Sequence, residues 1–162
     1  MGMANTGAEV GVVPREIATA ATGLAFLEAL RDRAQPAPPF AVETDIWLVE
    51  AESGRVVFEA TPSKRFYNPL GTVHGGWIAT LLDSCVGCAV HSTLPAGKAF
   101  TTAELKINYV RPVTTRVPLL RAEGRTIHVG GRMATADGRL YGPDDKLYAH
   151  ASTTCFIFDA AR

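Results

Sequence analysis

An isolated aspartate on an apolar segment is the clearest chemical signal in this sequence. Asp83 is the only charged residue between Gly75 and Val90, and the surrounding residues are apolar on nearly every face of a helix. Burial of an ionised carboxylate without a partner is unfavourable by several kcal/mol, so such a residue indicates chemistry or a specific partner. The alternative is a structural carboxylate that only accepts hydrogen bonds, for example at a subunit interface.

A turn-rich segment lies directly before this apolar stretch and reads NPLGTVHGG from Asn68 to Gly76. It would place glycines at the start of the helix, where the first backbone N–H groups have no partner within the helix. The positive end of the helix dipole adds to the field of these groups. The turn and Asp83 together define a candidate active site.

Composition limits the classes of function. A chain of 162 residues is long enough for one domain with a substantial core. Because 16 basic residues balance 16 acidic ones, no broad field attracts nucleic acid or a membrane surface. The three cysteines are an odd number and do not suit a secreted disulfide framework, so we predict a cytoplasmic protein without a membrane or nucleic-acid partner.

The pattern of apolar residues predicts one α+β domain. Residues 1–20 lack periodicity and are expected to form a poorly ordered tail, and residues 21–162 form the single domain. An antiparallel sheet is expected to wrap one long central helix. The predicted helices cover residues 23–33 and 75–92, and the predicted strands cover residues 41–50, 55–60, 100–110, 118–129, 132–136 and 146–158. Turns are predicted at Gly130-Gly131 and Asp137-Gly138, among other sites.

The spacing from Asn68 through the His74-Gly75-Gly76 triplet to Asp83 resembles that of the hotdog-fold acyl-CoA thioesterases. The closest branch is the phenylacetate-pathway (PaaI-like) type, and the resemblance covers residues 41–158. It implies a hotdog fold and hydrolysis of an acyl-CoA to a free acid and coenzyme A. It implies no metal or redox cofactor, because coenzyme A enters as part of the substrate.

The resemblance also implies how the thioester carbonyl is polarised. Hydrolysis requires hydrogen-bond donors where negative charge develops and a base that activates water. Gly75 matches the position of the family's backbone donor, and the side-chain amide of Asn68 matches its polarising partner. His74 is expected to orient or cap the helix start. For Asn68, ordinary turn formation is the open alternative.

By the same resemblance, Asp83 is the catalytic carboxylate. It acts as general base on water or, in a second mechanism proposed for the family, as a nucleophile; we favour the general base. Thr102 aligns with a hydroxyl residue that holds the water in some relatives, and an offset of one residue makes Thr101 the alternative. Ordinary packing of a β-branched residue in a strand would also explain Thr102.

Helix geometry adds a prediction about assembly. Gly75 and Asp83 are eight residues apart, which separates them by about 12 Å along a helix axis. They cannot both contact one carbonyl group unless they come from two chains. A symmetric dimer with antiparallel helices meets this requirement, so a homodimer or homotetramer is expected.

Substrate contacts follow only from the resemblance. One segment resembles the strand and turn that contact coenzyme A in relatives; its residues are Arg125, His128, Gly130, Gly131 and Arg132. Solvated surface arginines are the alternative. The acyl end is expected to lie against Phe66, Trp77 and Leu81, which could equally be core residues.

Three other functions remain open. A hotdog hydratase or dehydratase could use the same scaffold, although the His-Phe-Pro motif of such enzymes is absent from the sequence. A non-enzymatic acyl-CoA-binding or sensing module would keep the pocket without hydrolysis. A redox or zinc role for Cys85 and Cys88 is disfavoured, because the pair lies well inside the helix and lacks a convincing set of four ligands.

Overall fold

The computed structural model of the protein describes residues 9–160. Its helices are α1 (Arg15–Ala18), α2 (Gly23–Arg31), α3 (Pro39–Thr44) and α4 (Gly75–His91), with a short 3-10 helix at Lys64–Phe66. Its strands are β1 (Ile46–Glu52), β2 (Arg55–Ala60), β3 (Lys98–Tyr109), β4 (Leu120–Val129), β5 (Met133–Tyr141) and β6 (Leu147–Asp159). No helix within residues 9–160 is long and apolar enough to cross a lipid bilayer.

The six strands form one antiparallel sheet in the order β1-β2-β4-β5-β6-β3. Helix α4 packs against one face of this sheet and contacts β2 through β6. A sheet wrapped around one long helix is the predicted hotdog architecture, which is thereby confirmed. Strand β3 ends the sheet order and is 12 residues long, so it forms a long edge strand.

Helix α4 is held in place by the apolar residues that dominate its sequence. Leu81, Leu82, Cys85 and Val86 are fully buried against the sheet. Burial of a leucine side chain contributes about 1.5–3 kcal/mol, so this face anchors the helix. A partly exposed strip remains on the other side of α4, and Asp83 lies on it.

The turn predicted at Asp137-Gly138 is wrong, because β5 runs through both residues to Tyr141. Gly138 lies against α4, where a Cβ atom would come within 2.7 Å of Val86 Cγ1. A glycine inside a strand can mark such a close approach rather than a turn. The predicted strand at 132–136 was therefore too short.

The extended segment predicted at 41–50 is wrong in its first half. Residues Pro39–Thr44 form α3, which starts with proline at its first positions and ends at Asp45 in the left-handed conformation, with φ 54°. Proline is well suited to the first turn of a helix, and aspartate tolerates the left-handed region. The strand begins only after this turn, at Ile46.

The predicted tail lies partly outside the described residues, because residues 1–8 are not among them. Within residues 9–20, the chain forms α1 and pairs with the segment after α2. The Gly11 N–H donates to the Ala37 carbonyl at 3.0 Å, and the Ala37 N–H donates to the Glu9 carbonyl at 2.8 Å. These bonds connect residues 9–11 to the loop between α2 and α3.

Candidate active site

The first turn of α4 is capped by His74. Its side-chain Nδ1 atom accepts a hydrogen bond from the Gly76 N–H at 2.9 Å, and its backbone N–H donates to the Phe66 carbonyl at 2.8 Å. His74 thus has the capping geometry expected of it. Among residues 9–160, no acceptor is found for the Gly75 N–H, which remains available to a ligand.

The turn before α4 is organised by the Asn68 side chain. Its Oδ1 atom accepts from the Leu70 N–H at 2.9 Å and from the Thr72 N–H at 3.2 Å, and its Nδ2 atom donates to Thr72 Oγ1 at 2.9 Å. Gly71 allows this turn because its φ is +81°. The structure therefore shows the turn-forming role of Asn68 and leaves one N–H of its amide for another acceptor.

Tyr109 is a residue of this region that the sequence did not indicate. Its hydroxyl donates to the Gly75 carbonyl at 2.9 Å, and its ring lies 3.2–3.4 Å from the position a Cβ atom on Gly75 would take. A side chain at position 75 would therefore be in tight contact with Tyr109, whose ring would have to move by a few tenths of an ångström. The two residues are 34 positions apart, so no local spacing rule could pair them.

A cavity of about 270 Å³ adjoins this contact. Gly75, Ile78, Tyr109 and Arg111 are among its lining residues. The first turn of α4 and the end of β3 thus form one wall of an accessible space.

Asp83 is brought to β3 by the packing of α4 on the sheet. Thr102 Oγ1 donates to Asp83 Oδ1 at 3.0 Å, and no cation within residues 9–160 forms a salt bridge with Asp83. Thr101, the alternative from the sequence, is exposed and pairs with Phe156 in β6. The structure therefore brings Thr102 rather than Thr101 to the carboxylate. An ionised carboxylate accepts several hydrogen bonds, so Asp83 can still bind a water molecule.

The cysteines near Asp83 are held in their thiol form. Burial, and to a smaller extent the charge of Asp83, raise the pKa of Cys88 to about 12. Burial likewise raises the pKa of Cys85 well above its ordinary value. Protonated thiols are poor nucleophiles and metal ligands, so burial disfavours a redox or zinc role for this pair.

Within residues 9–160, no hydrogen bond or ion pair joins the segment predicted to bind coenzyme A to Gly75 or Asp83. Arg125 follows Gly124, which faces α4, so Arg125 extends from the other face of the sheet, where its Nε donates to Glu123 Oε1 at 2.6 Å. His128 is near the end of β4. Gly130, Gly131 and Arg132 form the turn between β4 and β5, closed by the Gly130 N–H to Met133 carbonyl bond at 2.8 Å.

The residues expected to contact the acyl group are packed in the interior. Leu81 is fully buried, and Trp77 stacks on Phe66 with ring centroids 5.4 Å apart while its indole N–H donates to the Thr44 carbonyl at 3.0 Å. A second cavity, also of about 270 Å³, lies elsewhere, between α2, α3, β1 and α4. None of the three predicted residues is part of its lining.

Comparison with known proteins relates the chain to one family. The thioesterase superfamily matches residues 70–149, a range that includes Gly75, Asp83 and Thr102. A candidate esterase of Caenorhabditis elegans is 32% identical over 96 residues, which are 59% of this chain and 56% of that protein. The chain thus spans little more than half the length of this curated relative.

Solved structures give the same relationship. A phenylacetic acid degradation-related protein of Ralstonia eutropha JMP134 superposes with a TM-score of 0.73 and 26% identity, over 80% of this chain and 98% of that one. A Streptococcus mutans UA159 protein bound to acetyl-CoA superposes with a TM-score of 0.63 and 27% identity, over 69% of this chain and 87% of that one.

Proposed function

Because the chain belongs to the thioesterase superfamily and has its hotdog fold, we propose that it hydrolyses an acyl-CoA to a free carboxylic acid and coenzyme A. The observation that carries this proposal is the Asp83 carboxylate, which accepts a hydrogen bond from Thr102 and has no cationic partner among the described residues. A carboxylate in this state can take a proton from water.

The proposed reaction uses the start of α4, at Gly75, and its middle, at Asp83. Asp83 removes a proton from a water molecule as the oxygen of that water bonds to the thioester carbon. The Gly75 N–H and the remaining N–H of the Asn68 amide stabilise the negative charge on the carbonyl oxygen. The carbon–sulfur bond then breaks, and the proton held by Asp83 passes to the departing thiolate. The products are the carboxylic acid and the thiol of coenzyme A.

The site must be shared between two chains, because α4 separates Gly75 from Asp83 by about 12 Å along its axis. The long edge strand β3 supports a dimer, since its outer backbone groups have no partner strand within the described chain. Unpaired edges favour pairing with another strand. Antiparallel pairing of two β3 strands would bring α4 of one chain beside α4 of the other.

Coenzyme A is the carrier we propose, with support from the Streptococcus mutans relative bound to acetyl-CoA. Arg125, His128 and the turn at Gly130–Arg132 are proposed to contact its phosphates. We propose that the site they serve is completed by a partner subunit. The cytoplasmic location stays a prediction that rests on the free cysteines.

A release assay tests the reaction. The purified protein is mixed with a panel of acyl-CoA compounds and a reagent that detects free thiol. Release by the wild type and loss of release in Asp83→Asn would support the proposal. Tight binding without release would indicate a sensing module, and a hydrated or dehydrated acyl product would indicate the alternative hotdog chemistry.

A complementation assay tests the shared site. Asp83→Asn and Asn68→Asp are each expected to be inactive, and Asn68→Asp keeps the oxygen that organises the turn. In a mixed dimer of the two variants, one of the two sites contains both native residues. Co-expression should therefore restore about a quarter of the wild-type activity, because about half the dimers are mixed. No restoration in verified mixed dimers would place both groups in one chain and contradict the proposal.

A further inference from the structure

We propose that the cavity between α2, α3, β1 and α4, called the α2–β1 cavity below, binds the apolar tail of the acyl group. This inference rests on the proposed function and specifies its substrate class. The cavity measures about 270 Å³. Its walls are largely apolar, with contributions from Leu27, Leu30, Phe40, Ile46, Leu48 and Phe58.

The α2–β1 cavity reaches the part of α4 that carries the proposed catalytic carboxylate, although Asp83 itself is not one of its lining residues. Ser84 and Cys88 of α4 form one of its walls, and Ser84 directly follows Asp83 in the helix. Cys88 lies close enough to Asp83 for the charge of that carboxylate to contribute to its raised pKa. A thioester carbonyl held at Asp83 can therefore direct its acyl tail past Ser84 into the cavity.

The charged residues of the cavity lining are two arginines. Arg31 is paired with Asp32 at 2.8 Å, and the exposed Arg33 places its guanidinium 4.8 Å from the Trp47 ring centroid. No acidic side chain lines the cavity. The Ser84 hydroxyl has no hydrogen-bond partner within residues 9–160, so it is the polar group available to a substituted tail.

The volume limits the length of the tail. Ligand pockets typically measure about 300–1,000 Å³, so this cavity lies just below that range. It suits one aromatic ring or a medium-length aliphatic chain. Each methylene that enters should raise kcat/KM about fourfold, until the cavity is full. Phenylacetyl-CoA and octanoyl-CoA should thus be better substrates than acetyl-CoA.

Filling the cavity provides the test. Ala41 of α3 is part of the lining, so Ala41→Phe would occupy space that the tail needs. We expect kcat/KM to fall at least about tenfold for phenylacetyl-CoA and octanoyl-CoA, with little change for acetyl-CoA. The matched control is Ala25→Phe on an exposed position of α2, which should stay within about twofold of the wild type.

A binding measurement separates the two proposals. Trp47 lines the cavity, so its fluorescence should report binding of free octanoate or phenylacetate, and Ala41→Phe should abolish the signal. If the wild type hydrolyses acyl-CoA but Ala41→Phe has the wild-type chain-length profile, the inference fails and the proposed function stands. If no acyl-CoA is hydrolysed, the proposed function fails. Absence of acid binding by the wild type would overturn the cavity assignment by itself. Should Ala41→Phe not fold, Ala41→Leu replaces it in both measurements.

Discussion

The two ends of the proposed site lie on one helix but are built in different ways. At the start of α4, the donor end is formed by neighbouring residues, with Asn68 and His74 bonded to backbone groups two to four positions away. Further along α4, the carboxylate end depends on a contact between Asp83 and Thr102, which are 19 residues apart. The turn at the donor end is therefore mainly a product of local structure, to which Tyr109 adds one long-range hydrogen bond, and the carboxylate end is a product of tertiary packing.

Substitutions at the two ends should therefore affect stability and activity differently. A change at the donor end alters a turn that several hydrogen bonds hold together, so folding and activity should change together. A change at the carboxylate end removes a group that the fold does not require, so activity should change alone. The following substitutions test this contrast in order of expected effect.

Asp83→Asn should have the largest effect. Loss of a general base typically lowers the rate about 10²- to 10⁴-fold. The amide has nearly the same shape and can still accept the hydrogen bond from Thr102, so the thermal midpoint should change little. Coenzyme A release and thermal denaturation measure the two quantities. Wild-type release by this variant would remove Asp83 from the mechanism.

Asn68→Ala should have the largest effect on stability. It removes three hydrogen bonds of the turn and leaves partly buried partners unsatisfied, so the free energy of unfolding should fall by about 1–3 kcal/mol. Asn68→Asp retains the acceptor for the Leu70 and Thr72 amides and should lose less. Urea denaturation compares the two. Equal stability of Asn68→Ala and the wild type would show that the turn does not depend on this side chain.

Thr102→Val should lower kcat roughly five- to tenfold, because about 1 kcal/mol of orientation from one hydrogen bond is lost. Thr102→Ser keeps the hydroxyl and should retain most activity. Thr101→Val, at the exposed neighbouring position, is the matched control and should behave as the wild type. Should Thr101→Val and Thr102→Val exchange these results, the alternative residue would be the functional one.

Substitution of Glu50, which lies outside both ends of the site, should have the smallest effect, a change in the pH dependence of stability. Hydrogen bonds from Arg121 and then from Arg55 lower the pKa of Glu50. Its contribution to stability is complete above its ordinary pKa of about 4.5 and is lost as pH falls through the lower value of the folded state. Glu50→Gln should therefore reduce stability at neutral pH and flatten its decline below about pH 4.5. Denaturation at several pH values measures this slope, and Glu43→Gln, which lacks a side-chain ion pair among the described residues, is the control. An unchanged slope in Glu50→Gln would show that the ion pairs of Glu50 with Arg55 and Arg121 have no net effect on stability.

Much of the fold could be predicted because its elements follow from regular patterns. Helix α4 was recognised from a long apolar run, and most strands from alternation and turn residues. The errors have physical causes. The turn prediction at Gly138 fails because the role of this glycine depends on its distance to Val86, and α3 escapes prediction because its proline and aspartate signals also occur in turns.

The long apolar helix, the turn before it and the single carboxylate on that helix follow from residues close together in the chain, so the sequence alone reveals them. The contact of Asp83 with Thr102 rather than Thr101, the packing of Tyr109 on Gly75 and the cavity beside Ser84 follow from the tertiary structure. These contacts join residues from distant parts of the chain. Their geometry depends on how the sheet curves around α4, which no local pattern specifies.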